Sequence, residues 1–146
     1  MRILNKKAPR DFEIEERLEA GIVLQGQEVK AVKLGHADLT GSYVKILGSE
    51  AYLVNARIFP YEYARTQGYQ ETRTRKLLLH KKEMLRLKNK LAEGKYTMVG
   101  LSLYEKGGLI KAEIAMARGK KKQDKRQDLK ERDLKREAET ELKYSV

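Results

Sequence analysis

Residues 97–117 read TMVGLSLYEKGGLIKAEIAMA, and no other stretch restricts the possible folds so tightly. Val99, Leu101 and Leu103 alternate before the Gly107-Gly108 pair, and Ile110, Ala112, Ile114 and Met116 alternate after it. Successive side chains of a strand point to opposite faces, so each run predicts a strand with one buried face. Two adjacent glycines supply the positive φ angles of a tight turn, which makes the pair a β-hairpin. A long antiparallel hairpin exposes two edges, and a stable chain must pair or cover them.

Partner strands are available. Residues 42–58, SYVKILGSEAYLVNARI, hold two runs rich in β-branched and aromatic residues around Gly48-Ser49, a second hairpin. Residues 11–18, DFEIEERL, put Phe12, Ile14 and Leu18 on one side of a period-2 pattern and Glu13, Glu15 and Arg17 on the other. This predicts a half-buried strand, after which Glu19-Ala20-Gly21 turns the chain into the apolar run Ile22-Val23-Leu24. QGQEVKAVKLG predicts a short helix stopped by Gly35. HKKEMLRLKNKLAEG predicts the one substantial helix of the body, with Met84, Leu87 and Leu91 on one face and Gly94 just past its end. The order of strand, short helix, hairpin, loop, helix and hairpin predicts a mainly β body over residues 1–117. Its natural closure is an OB-fold-like closed antiparallel β-barrel with embedded helices, because closing a small sheet removes its edges.

The balance of charge points to the partner. Lys and Arg number 32 against 21 Asp and Glu, a formal net charge of +11. Residues 118–146 hold 11 basic and 7 acidic side chains, leaving 21 against 14 for residues 1–117, so both parts are basic. A field of that sign favours a polyanion or an anionic membrane face. No apolar run approaches the roughly 20 residues that span a bilayer, and MRILNKKAPRDF lacks the apolar core of a signal peptide. A soluble, cytoplasmic protein is expected, and the absence of Cys agrees with a reducing compartment.

Enzymatic motifs are missing. His36 and His80 have no companion Cys or carboxylate spacing for zinc, and there is no phosphate loop, GxSxG elbow or HExxH. The carboxylates Glu13, Glu15 and Glu16 read as a solvated strand face rather than a magnesium site. No catalytic residue, metal or cofactor is therefore expected. The sequence is stronger on binding. TRTRKLLLHKKE, residues 72–83, sets Arg73, Arg75, Lys76, Lys81 and Lys82 around Leu77-Leu78-Leu79. Such a density of cations suits phosphate oxygens, while the plainer alternative is a basic rim on a sheet edge. His80 also stands where it would cap the following helix, with Glu83 three residues on. The loop PYEYARTQGYQETRTRK, residues 60–76, is long for a compact domain. Its Tyr61, Tyr63 and Tyr69 offer faces to unstacked bases or, more simply, pack under the loop.

Three motifs carry a resemblance. NKKAPRDFEIEERLEAGIVLQGQEVKAVKLGHADLTGSYV, TRTRKLLLHKKE and GKKKQDKRQDLKER, in that order and spacing, resemble the small protein B (SmpB) family of bacterial tmRNA-binding proteins. The resemblance covers essentially the whole chain. It implies an OB-type barrel bound to the tRNA-like domain of tmRNA, the RNA that rescues stalled ribosomes by trans-translation, with no catalytic activity. It further implies that Asn5, Lys6, Lys7, Glu19, Arg73, Arg75, Lys76, Leu78, His80 and Lys81 serve the barrel's RNA contact. Glu19 would accept hydrogen bonds from base donors, and Leu78 would offer an apolar surface to an unstacked base. Read from spacing alone, Glu19 is a turn residue and Leu78 a core residue. Phe12 stands where the family commonly has Tyr, and Lys122-Gln123 replaces a pair that often includes an aromatic or His.

The C-terminal segment 118–146 has too thin an apolar stripe, Leu129, Leu134, Ala138 and Leu142, to build a core. It is nonetheless written for helix, with Asp128 to Arg132, Glu131 to Lys135 and Glu139 to Lys143 at i, i+4, each pair worth about 0.2–0.5 kcal/mol. A tail disordered in isolation and helical on its partner is expected. The resemblance names that partner as the small ribosomal subunit, with the tail in the decoding centre and vacant mRNA channel against rRNA. Gly119, Lys120 and Lys121 would form the hinge, and Asp124, Lys125, Arg126, Lys130 and Arg132 the ribosome-reading portion. The rival reading is a constitutive small-subunit ribosomal protein with a basic tail; a monomer is expected in the complex.

Overall fold

The hairpin around Gly107-Gly108 forms the spine of the molecule. In the computed structural model, which describes residues 2–65 and 67–119, β8 (Thr97–Lys106) and β9 (Leu109–Gly119) pair from Thr97↔Ala117 to Lys106↔Leu109. Gly107 and Gly108 take φ values of 60° and 80°, the left-handed geometry that a two-residue hairpin turn needs. Before the hairpin come β1 (Arg2–Leu4), α1 (Ala8–Asp11), β2 (Phe12–Ile22), α2 (Gly26–Lys33), β3 (Ala37–Asp38), β4 (Tyr43–Leu47) and β5 (Glu50–Val54). They are followed by β6 (Arg57–Ile58), β7 (Arg75–Leu78) and α3 (Lys81–Ala92). The fold is mainly β, and every strand pairing is antiparallel.

The pairings return on themselves. β8 meets β4, β4 meets β5, β5 meets β7, β7 meets β2, β2 meets β9, and β9 meets β8. β1 adds to the outer half of β8, with Arg2 opposite Tyr104, and β3 and β6 form a separate two-stranded ladder. Within the ring lies the main core, including Leu18, Ile22, Leu53, Leu77, Met98, Leu103 and Ile114, sealed by Val32 of α2 and Leu87 of α3. α3 follows the predicted pattern, with Met84 and Leu91 packing beside Leu87. Its N-cap is His80, whose backbone N–H donates to Glu83 Oε1 at 3.4 Å, and Gly94 takes φ 78° just beyond the helix.

Two features of the strands depart from the alternation. First, β2 does not turn at Glu19-Ala20-Gly21. These residues stay paired with Glu113, Ala112 and Lys111, and the chain bends only after Ile22, because Ala20 and Ile22 continue the buried face. Second, Phe12, Ile14 and Leu18 do not share one side. A register shift between Ile14 and Glu16 inserts an extra residue, and inserting one residue reverses which side chains face inward. Phe12 and Ile14 pack outside the ring with Ala8, Val99, Leu101, Ala115 and Ala117, whereas Leu18 packs inside. The same happens on β8 between Gly100 and Ser102, so Val99 and Leu101 belong to the outer cluster and Leu103 to the inner one. Only β9, between the two bulged strands, keeps its predicted alternation throughout.

Candidate nucleic-acid interface

Strand register assembles the site. Gly21 lies opposite Leu78 on one side and Lys111 on the other; Lys111 faces Tyr104, and Tyr104 faces Arg2. Directly opposed residues of an antiparallel sheet share a face, so Leu78, Gly21, Lys111, Tyr104 and Arg2 form one row across β7, β2, β9, β8 and β1. The neighbouring row holds Glu19 opposite Glu113. Thus Glu19 and Leu78, from distant parts of the chain, come to the same outer surface.

Glu19 is held there by its neighbours. Its carboxylate accepts a hydrogen bond from the Tyr104 hydroxyl, and Lys106 Nζ lies 3.3 and 3.4 Å from its two oxygens. The Tyr104 hydrogen bond holds the Glu19 carboxyl below its ordinary value; desolvation opposes it, and the hydrogen bond and charge of Lys106 add to the lowering. Tyr104 is pushed up to about 12, first by burial and then by the Glu19 carboxylate it binds. Arg2 places its guanidinium 4.5 Å from the Tyr104 ring centroid, and Arg17 Nη1 lies 3.4 Å from Glu113 Oε1. Together with Leu18 and Glu105 these side chains line a depression of about 440 Å³. The arrangement offers phosphate oxygens the cations of Arg2, Arg17, Lys106 and Lys111. It offers base N–H donors a fixed, ionised acceptor.

Several of the predicted residues lie at the surface. Leu78 is 54% exposed, so the core position read from its spacing is wrong, and it is a surface side chain. Lys6 and Lys7 are exposed just after β1, and His80 and Lys81 are exposed at the start of α3. Lys76 is exposed and its Nζ donates to Glu50 Oε1 at 3.0 Å. Tyr69 packs under the long loop, its hydroxyl donating to Ile58 O at 2.7 Å, while Tyr63 stands 80% exposed with its ring centroid 5.6 Å from that of Tyr61.

Arg75 and Asn5 require correction. Arg75 is completely buried; its Nε donates to Glu28 Oε2 at 2.8 Å, Nη1 to Ala56 O at 2.6 Å and Nη2 to Glu71 O at 2.9 Å. A guanidinium spent in this way is a structural tie between α2, the long loop and β7, not a phosphate ligand. Arg73 joins it, with Nη2 2.5 Å from Glu28 Oε1, but keeps part of its side chain in solvent. Burial alone would raise the Glu28 carboxyl, yet hydrogen bonds from Arg73, the Gln25 N–H and Arg75 hold it below its ordinary value. Asn5 is 6% exposed. Its Nδ2 donates to Leu39 O at 3.1 Å and Gly100 O at 2.8 Å, and its Oδ1 accepts from the Ala8 N–H at 3.2 Å. The amide is consumed internally, and its contribution to the surface is to anchor the segment that displays Lys6 and Lys7.

Arg2, Arg17, Tyr104, Lys106 and Lys111 escaped the reading of the sequence. Tyr104 and Lys111 did carry a signal, since they sit beside inward-facing Leu103 and Ile110 and must therefore point outward. Gly119 closes β9 opposite Phe12. Lys120, Lys121, Asp124, Lys125, Arg126, Lys130 and Arg132, with the expected tail helix, lie outside the described residues.

Comparison with known proteins agrees over nearly the full length. A family model described as SmpB protein matches residues 2–144. An SsrA-binding protein of Pelobacter propionicus is 48% identical over 139 residues, covering 95% of this chain and 91% of that one. A Sulfurihydrogenibium SsrA-binding protein is 50% identical over 142 residues, covering 97% and 93%. The solved structure described as "tmRNA-SmpB: a journey to the center of the bacterial ribosome" matches with a TM-score of 0.71 and 39% identity, covering 88% of this chain and 94% of that one.

Proposed function

The chain belongs to the SmpB protein family, and from that premise we propose that it is a non-catalytic adaptor that binds the tRNA-like domain of tmRNA and delivers it to stalled ribosomes. The observation that carries this reading is the meeting of Glu19 and Leu78 on one exposed, cation-rimmed face. Leu78 keeps more than half of its surface in water, and Glu19, although tied to Tyr104 and Lys106, sits opposite the like charge of Glu113 across the ladder. RNA gives both a purpose, because unpaired bases carry N–H donors on their edges and apolar faces between them. Arg2, Arg17, Lys106 and Lys111 then bind the backbone.

The ring of six strands reads as a closed barrel of the OB type, with α2 and α3 closing it and β1 added outside. In this scheme residues 118–146 act on the other partner, entering the decoding centre and vacant mRNA channel of the small subunit and becoming helical against rRNA. One copy serves each complex, in the cytoplasm. The family membership and the basic composition of the tail support this division.

Truncation after Arg118 tests it. The shortened protein should bind the tRNA-like domain within a few-fold of the full chain by filter binding, yet fail to support tagging of nascent chains on stalled ribosomes in a reconstituted translation assay. Loss of RNA affinity on truncation would refute the division of labour.

A further inference from the structure

The outer side of α3 carries positive charge that nothing on the helix balances. Lys82, Leu85 and Asn89 follow one another at i, i+3 and i+7, Lys81 and Lys88 flank Leu85, and all five are exposed. Several cations of the strands are matched by acids, as Arg17 is by Glu113 and Arg57 by Glu71. Among the described residues, Lys81, Lys82 and Lys88 form no ion pair. Helix stability does not account for the arrangement. Lys81 and Lys82 fill the first two positions of α3, where the helix dipole favours acids, and Lys82, Arg86 and Lys90 set like charges at i, i+4. Glu83 is taken up by the N-cap and Arg86 by Glu16 of β2. At the centre of this face Leu85 is 62% exposed.

The chemistry of the partner follows from what the face holds and lacks. Lysine is depleted in protein interfaces, and a single leucine is too little for an interface core. From Lys81 to Ala92 the helix has no aromatic ring on which an unpaired base could stack. Double-helical RNA requires neither, since it presents rows of phosphate and, in its wide, shallow minor groove, the 2′-hydroxyls. Position selects the source. Arg86 binds Glu16, and Arg118 Nη2 lies 2.9 Å from Glu15 Oε1 and 3.5 Å from Glu13 Oε2, so the middle of α3 and the end of β9 border the same stretch of β2. The Glu19 face lies further along β2, toward the β8–β9 turn. Resting on the ribosome half of the reading above, we propose that α3 is a second ribosomal contact, carried by the body rather than by the tail. It lies along a double-helical segment of small-subunit rRNA, with Lys82 and Lys88 on phosphates and Asn89 on the 2′-hydroxyls of the groove. Lys82 and Lys88 are six residues apart, about 9 Å along the helix axis, and so engage different phosphates.

The chain has no cysteine, so Ala92→Cys in the full-length protein, exposed one turn beyond Asn89, gives a single attachment point for an iron–EDTA probe. Hydroxyl radicals generated there on purified small subunits should cleave both strands of one rRNA helix. In parallel, affinity is measured over a range of salt for small subunits and for a transcribed tRNA-like domain of tmRNA. Lys82→Gln combined with Lys88→Gln should weaken subunit binding about tenfold and make the slope of log Kd against log salt shallower by about two phosphate contacts. The same double variant should keep its Tm and bind the tRNA-like domain within about twofold of the parent. Subunit affinity and slope equal to the parent's would overturn the α3 contact and leave the adaptor reading intact. So would equal losses on both RNAs, or an absence of rRNA cleavage on subunits that the protein occupies, which would make a ribosomal protein the neighbour of α3. Failure of the parent to bind small subunits would overturn the ribosome half of the adaptor reading along with it.

Discussion

Replacing Arg75 with Met separates a structural cation from a ligand-binding one. In the folded protein Arg75 is fully buried, shares Glu28 with Arg73, and donates to two backbone carbonyls, Ala56 O and Glu71 O. Methionine fills similar volume but leaves the Glu28 carboxylate with only its outer partners and strips both carbonyls. Breaking one side of a buried ion pair costs roughly 3–5 kcal/mol, a large fraction of the roughly 5–15 kcal/mol that holds a domain folded. With a urea slope of about 1–3 kcal/mol per molar, the midpoint should fall by at least about 1 M. RNA binding by the surviving folded fraction should keep its salt dependence, because no phosphate contact has been lost. The pH dependence follows from Glu28. Its folded-state carboxyl lies below the ordinary 4.5, so its contribution is complete above that value and fades as pH falls through the folded value. Glu28→Gln should therefore flatten the acid limb of the stability curve as well as lower its plateau. A midpoint within about 0.3 M of the parent for Arg75→Met, together with a salt slope reduced by about one phosphate, would refute the assignment.

Two further variants probe the interface and the ring. Tyr104→Phe removes the hydroxyl that holds Glu19, so the Glu19 carboxyl should titrate nearer its ordinary value in a carbon-detected NMR titration, and affinity for the tRNA-like domain should fall severalfold with thermal stability nearly unchanged. Gly100→Ala would set a Cβ 2.5 Å from Ser42 Oγ, where β8 and β4 approach closely; overpacking of this kind costs about 1–3 kcal/mol, read as a lowered Tm.

What could be read from the sequence depended on whether local pattern or long-range register decided the outcome. The two hairpins, α2, α3 and their glycine stops are local, and glycine geometry with helical or strand period suffices to place them. The course of β2 was not legible past Leu18. Glu19-Ala20-Gly21 has turn chemistry in isolation, and only pairing with β9 keeps it extended. The bulges at Ile14–Glu16 and Gly100–Ser102 were invisible for a related reason: a bulge is a relation between two strands, and the alternation of one strand cannot report it. The site divided along the same line. The motif around Leu78 was found, but its Arg75 looked like its neighbours because a cation's burial depends on Glu28, 47 positions away. The row of Arg2, Tyr104 and Lys111 exists only once three strands are in register.

The uninterrupted pairing of β9 has a mechanical consequence. The strand begins at Leu109, two residues before Lys111 of the Glu19 face, and ends at Gly119. At about 3.3 Å per residue, these two points stand roughly 30–35 Å apart. β9 lies between β2 and β8, both of which absorb a bulge, while it absorbs none. It therefore acts as a ruler, fixing the span between the cation-rimmed face that carries Lys111 and the point at Gly119 from which the chain continues. Adding residues to the tail would extend its reach, whereas an insertion within β9 would reset the separation itself.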